Sequence, residues 1–515
     1  MKSVVDNRFM PGIAGLDRHR TSWLTVLVAL VSLFVVACSS DEGESGPSGT
    51  SEPTAAATST SPDATPDSTA VPGTEPDPTG VPSSTATSVS PTSEPDSNTP
   101  TPSATGVPTT TIPDPPIPTE EPLTKAEQLA VISEQVSRIR ELSVVGDPNV
   151  SLVDKERIAQ ELAEDLDDEE VLAEVAELEV WFKLLGLIPQ DSSLLEIETA
   201  LLEGAVVGLY NHDTGELMVL GGGEDVSVKE EAVYSHEYAH LLQDVNFDLS
   251  ELFESAKVDT ERTSALQAFV EGEATFIESF YALENFEAAD LDELIAIDPA
   301  DLAVLEATPD FLILTLSWPY TAGFAFTNSI WVDGGMAALN ATWGDLPETT
   351  EQVIHPEKYL AKEVPVGPLI LPDLTAILGD GWAVHSADVF GEAIISLWLE
   401  SLGAETAVAA QAGAGWGRDA YTVLTGPSGA SAMGLVIEWD DPGTDALQFS
   451  AVLEAVLDAD AAFTRLESGD VTISLWDGPG GTLAFALDGS TGAAGVAVAP
   501  TLQQATALLS ALVDA

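Results

Sequence analysis

The chain is poor in cysteine and in positive charge, and each shortage removes a class of function. One cysteine, Cys38, stands among 515 residues, so an internal disulfide and a cysteine-based zinc cluster are both excluded. Lys and Arg number 17 against 85 Asp and Glu, for a formal charge of -68. This argues against a nucleic-acid partner, because neutralising phosphates takes clustered cations. The same excess favours solubility, in salt above all, where counterions screen self-repulsion. From Ser39 to Leu123 there is no aromatic residue and no Lys or Arg. Such a stretch does not bury enough apolar surface to offset its ordering entropy, and it is expected to be a disordered spacer that gives reach to a folded body.

The first 38 residues have the pattern of a targeting segment. Arg18, His19 and Arg20 precede an apolar run from Trp23 to Val36 that ends in Val35-Val36-Ala37-Cys38. The run is short of the roughly 20 residues that cross a bilayer, and its charged front and small-residue exit are those of a signal peptide. The exit also resembles a bacterial lipobox, which implies lipidation of Cys38, anchoring to a membrane and an extracytoplasmic location for everything that follows. The expected organisation is a lipoprotein signal peptide (1–38), a spacer (39–123), a folded body (124–371) and a C-terminal region (372–515).

From Thr124 onward, apolar residues recur at three and four spacing in AEQLAVISEQVSRIRELSVV, ERIAQELAEDL and EVLAEVAELEVWFKLLGL, which predicts amphipathic helices. AVVGLYNHDTGELMVLGGG predicts a hairpin turning at Asn211 to Gly215. Its edge strand is a place where an extended peptide adds backbone hydrogen bonds. Beyond Pro372 a helix is expected at VFGEAIISLWLESLG. Strands follow at TVLTG, MGLVIEW, VTISLWD, TLAFALD and AGVAVAP, with helices at ALQFSAVLEAVL and TLQQATALLSALV. Together these describe a small α+β layer with a sheet against two helices. His385 stands alone there, without a constellation around it.

The richest stretch is AVYSHEYAHLLQD, residues 232–244. Ser227 and Glu230 predict a capping box at the start of its helix. At about 100° per residue His236 and His240 fall on one side with Glu237 at its edge, while Tyr234, Tyr238, Leu241 and Val245 face the core. Two imidazoles one turn apart reach one zinc ion, and a catalytic site adds a third protein ligand and leaves one position for water. The glutamate between them is placed to accept that water's proton. Asp244, one turn beyond His240, is either an orienting group behind a ligand or a solvated helix-end acid.

The third ligand is expected from SALQAFVEGEATFIESFY, residues 264–281. Gln267, Glu271, Thr275 and Glu278 share one helical face, and Leu266, Phe269, Phe276 and Phe280 the other. That geometry favours Glu271, then Glu278, with Glu273 among the apolar residues as a weaker rival.

His236-Glu237-x-x-His240 followed by Val270-Glu271-Gly272-Glu273-Ala274 resembles the gluzincin metallopeptidases, the peptidase MA-like group that includes aminopeptidases. The resemblance implies an α+β fold with a zincin-like core, a Zn2+ ion held by His236, His240 and Glu271, Glu237 as general base, and a peptide or protein substrate. Pro319-Tyr320-Thr321-Ala322-Gly323 is similar to the Tyr-x-x-Gly segment of the aminopeptidases, which implies that Tyr320 hydrogen-bonds the oxyanion. The interval of 30 residues between His240 and Glu271 is longer than in that group, and Asn246 to Arg262 is expected to loop out. No segment reproduces the signature that grips a substrate amino terminus. The body is also similar to secreted HExxH lipoproteins of bacteria, which share a TEQ-x-x-HPEKY segment like Thr350 to Tyr359. His355 within it either lines the cleft or is a structural histidine beside Pro356.

Overall fold

The computed structural model describes residues 122–513 apart from 145–147, 155, 159, 162–168, 206, 207, 213 and 298. Cys38, the signal peptide and the spacer as far as residue 121 lie outside the described residues. No described helix is long and apolar enough to cross a membrane.

Helix α1 (Lys125–Arg140) starts at a capping box between Thr124 and Glu127. It is followed by β1 (Asn149–Val153), α2 (Glu169–Leu185), α3 (Leu194–Ala205) and the hairpin of β2 (Gly208–Asn211) and β3 (Glu216–Leu220). β3 pairs antiparallel with β2 and parallel with β1, so β2 lies at one edge of a three-stranded sheet. Helix α4 (Val228–Phe247) opens on the expected Ser227–Glu230 capping box. Asp248, at φ 60°, ends α4 and caps α5 (Leu249–Ala256), turning the chain sharply between them. Asn246 to Arg262, expected to loop out, instead closes α4, forms the short helix α5 and opens α6. Helix α6 (Thr260–Asn285) runs back along α4. After α7 (Ala288–Leu294) and α8 (Pro299–Ala307), α9 (Asp310–Thr342) lies along α6 and breaks at Gly334 and Gly335. Two short helices, α10 (Thr350–Ile354) and α11 (Pro356–Leu360), complete the helical body.

α6 and α9 meet with their backbones in contact. A Cβ on Gly323 would overlap the carbonyl oxygen of Ala268, and one on Gly272 would overlap the backbone of Gly323. Only a glycine pair permits this approach. Around it Leu266, Phe269, Phe276, Phe326 and Ile330 join Tyr234, Tyr238 and Leu241 of α4 in one core. Val245, expected in that core, is 49% exposed.

The C-terminal region adds α12 (Leu374–Leu378), β4 (Ala383–Asp388), α13 (Gly391–Ser401), α14 (Thr406–Gly413), β5 (Trp416–Thr425), β6 (Ser431–Trp439) and α15 (Asp445–Ala459). It ends with β7 (Thr464–Arg465), β8 (Ser474–Gly478), β9 (Gly481–Leu487), β10 (Ala494–Ala499) and α16 (Leu502–Val513). Its seven strands pair antiparallel in the order β4-β5-β6-β10-β9-β8-β7. Alternating residues feed two cores: Val423, Leu435 and Phe485 face α13 and α15, while Leu424, Val436 and Ala484 face α12 and α16. Val175, Phe182 and Leu185 of α2 and Phe311 of α9 belong to the first of these cores. The regions on either side of Pro372 thus share one core.

Their seam is rich in buried acids. Glu261 of α6 accepts from the Thr350 hydroxyl at 2.8 Å, Glu392 pairs with His355 at 2.8 Å, and Asp419 accepts from the backbones of Phe390 and Gly391 and from the Trp416 indole, each at 2.8 Å. Burial pushes Asp419 up to about 6 and Glu261 well above the usual carboxylate range. Burial likewise raises Glu351 to about 7 and Glu198 to about 8. The folded state holds these protons more tightly than the unfolded chain, so the stabilisation is present at low pH and is lost as pH rises through the folded values. Asp419 alone is worth on the order of 3 kcal/mol. The thermal midpoint is expected to fall between about pH 5 and about pH 8, and to fall less in Glu261→Gln. A midpoint that rises over this range contradicts the assignment.

Candidate metal centre

Helical spacing carries His236 and His240 to the same side of α4, and α6, packed directly against α4 and braced from its other side by α9 at the glycine contact, brings Glu271 to meet them. The two Nε2 atoms are 3.0 Å apart, and each is 3.3 Å from Glu271 Oε2. His236, Glu237, His240, Glu271 and Tyr320 are all buried, from 0 to 4% exposed. The donors lie in an enclosed interior.

The outer ring nitrogens determine where the protons are. His236 Nδ1 lies 3.1 Å from Glu278 Oε2, and His240 Nδ1 lies 2.8 Å from Gln243 Oε1. The Gln243 amide is oriented by its nitrogen, which donates to Val270 O at 2.9 Å and to Glu273 Oε2 at 3.0 Å. Both Nδ1 atoms face acceptors, so a ring that is neutral carries its hydrogen there and turns an Nε2 lone pair toward Glu271. Those lone pairs and the Glu271 carboxylate converge on one point. Three acceptors so placed repel unless a proton or a metal cation lies between them, and a bound cation would displace the proton that Glu271 and Glu278 otherwise hold on His236. For tetrahedral donors at zinc bond lengths of roughly 2.0 to 2.1 Å, donor atoms are about 3.3 Å apart. The observed separations match that spacing, and these three residues form one of the two possible metal-holding groups among the described residues. The other group, Glu351, Glu363 and Asp440, is already bridged by Lys358.

The surrounding field favours positive charge. Burial by itself lowers the His236 pKa, but Glu271 and Glu278 outweigh it and raise the group to about 10. Glu237 is raised to about 7 by burial, against the lowering effect of the two histidines. Its Oε2 accepts from the Tyr210 backbone N–H at 2.9 Å, while Oε1 is buried without a partner. The expected edge strand β2 is therefore present beside the site, with one of its outward donors taken up by Glu237. The Tyr320 ring packs 6.0 Å from His236. Its buried hydroxyl has no well-aligned hydrogen-bond partner, and burial together with Glu271 and Glu237 raises its pKa far above the ordinary value.

Other candidate residues have different places. Glu273 turns away from the histidines to pair with Arg140 at 2.9 Å. Glu278 stands behind His236, on the side away from the convergence point. Asp244 accepts from the Tyr210 hydroxyl at 2.7 Å and from Leu249 N at 3.0 Å, and so anchors the hairpin and the α4–α5 corner. Tyr238 is in the core as expected. His355 pairs with Glu392 at the seam, and half-buried His385 lies on β4. Gln243, three residues beyond His240, was not singled out in the sequence, although its spacing alone brings it within reach of the Nδ1 atom.

Residues 382–509 match a family model described as a domain of unknown function (DUF8575). This segment covers the sheet from β4 to β10 and most of α16, and it excludes α4 and α6, which carry His236, His240 and Glu271. No match was found among curated proteins or among solved structures.

Proposed function

We propose that this protein is a zinc-dependent peptidase of gluzincin type, with a zincin-like core, tethered outside the cytoplasm through Cys38. The observation that carries the reading is the convergence of two imidazole Nε2 atoms and one carboxylate oxygen at zinc spacing, beside a buried glutamate with a free oxygen. His236, His240 and Glu271 would hold the ion and leave one tetrahedral position open. The ion supplies a Lewis acid there, which polarises a carbonyl and makes water acidic near neutral pH. Glu237 takes the proton through Oε1, its unengaged oxygen, and passes it to the leaving amine. Tyr320 donates its hydroxyl hydrogen to the developing oxyanion, which its raised pKa keeps protonated. The β2 edge is buried against α4, with Glu237 on its Tyr210 N–H, so pairing of an extended peptide there requires that edge to open first.

The near-complete burial of these groups favours one alternative, a metal clamp that braces α4 against α6 and hydrolyses nothing. Metal analysis of the purified chain, with digestion of unfolded casein before chelation, after it and after zinc is restored, separates the two. The peptidase reading expects one zinc per chain and cleavage that chelation abolishes and zinc restores. Zinc without cleavage supports the clamp, and a chain that binds no zinc overturns both.

A further inference from the structure

On the metal reading above, we propose that Gln243 is the positioning residue for His240, and that Glu273 and Arg140 hold Gln243 in place. The contacts form one buried chain across three helices. His240 Nδ1 donates to Gln243 Oε1 at 2.8 Å, Gln243 Nε2 donates to Glu273 Oε2 at 3.0 Å, and Glu273 Oε1 pairs with Arg140 of α1 at 2.9 Å. Trp343 Nε1 donates to the same Glu273 oxygen at 3.2 Å, and Arg140 Nη1 to Asn340 at 2.8 Å. Gln243, Glu273 and Arg140 are each no more than 1% exposed.

An amide is the group this position requires. It offers an acceptor to the imidazole on one side and donors to Glu273 and Val270 on the other, so its orientation is imposed by both. A carboxylate here would face the Glu273 charge, and an apolar side chain would leave the Nδ1 hydrogen unbonded. Freed of Gln243, the neutral His240 ring is able to move its hydrogen to Nε2, which points that hydrogen at the cation position. The two histidines consequently have different outer partners. Glu278 adds negative charge behind His236, whereas Arg140 cancels Glu273 and leaves the chain behind His240 neutral. Glu273 thus supports the site without touching the ion.

The test measures zinc affinity of the full-length chain by competition with a chromophoric chelator, together with the visible spectrum of the cobalt(II) form. Gln243→Leu leaves Glu273 paired with Arg140 and Trp343. It is expected to bind zinc about 10- to 100-fold more weakly and to shift the cobalt bands. Gln243→Asn keeps the amide but is too short to span the gap, and it is expected to lose affinity in the same way if the leucine variant fails to fold. A folded variant with wild-type affinity and unchanged cobalt bands overturns the inference while leaving the metal reading intact. A wild-type chain that binds neither ion overturns both.

Discussion

Replacing Gly323 by alanine is expected to cost about 3 kcal/mol or more and to lower zinc content in the surviving folded protein. Intrinsic propensity argues the other way, since alanine in a helix interior is better than glycine by roughly 1 kcal/mol. The tertiary contact decides the sign. A methyl at Gly323 overlaps the Ala268 carbonyl oxygen, and a methyl at Gly272 overlaps the Gly323 backbone. Neither neighbour is a side chain that can rotate away, so α9 has to lift from α6. Lifting moves Tyr320 off the His236 ring and loosens the face that presents Glu271. Gly272→Ala is expected to behave alike, whereas Gly469→Ala, at a position with open space, is a neutral control. Thermal midpoints and metal content measure the effect, and a Gly323→Ala protein at least as stable as wild type refutes the close-contact argument.

Changing Glu237 to glutamine is expected to reduce peptide hydrolysis by about 10²- to 10⁴-fold, the span of general-base catalysis, while leaving zinc content and thermal midpoint near wild type. Glutamine preserves the length of the side chain and the acceptor for the Tyr210 N–H. What it removes is the proton-accepting oxygen. In the wild type, burial holds the Glu237 carboxyl at about 7, and a divalent cation nearby lowers it from there. The acid limb of kcat/KM is therefore expected at or below about pH 7. A Glu237→Gln enzyme with full activity and bound zinc assigns the base elsewhere.

Much of the helical body is readable from periodicity. The capping box at Ser227, the single-sided placement of His236 and His240, the hairpin before them and five C-terminal strands all follow from spacing within one element. Signals were weaker where partners lie far apart in the chain. The exposed strand β4 and the parallel partner β1 carry little hydrophobic alternation. α2 reads as an ordinary amphipathic helix, with nothing in it to say that it packs under a sheet some 250 residues later. The helical wheel placed Glu271 and Glu278 on one face, yet they meet different nitrogens of the same ring. Asp244 drew attention as an acid beyond His240, whereas the neutral Gln243 makes the contact.

The sequence by itself determined which residue types share a helical face, because a repeat of 3.6 residues is a local property of the backbone. It therefore specified a pair of imidazoles with a glutamate between them and a second helix rich in acids. Which acid approaches the pair, which group orients each ring and whether the site is open to solvent were decided only when α6 settled against α4 and α9. Those outcomes depend on distances between segments far apart in the chain: α6 packs directly on α4, and the crossing of two glycines sets how closely α9, with Tyr320, approaches α6.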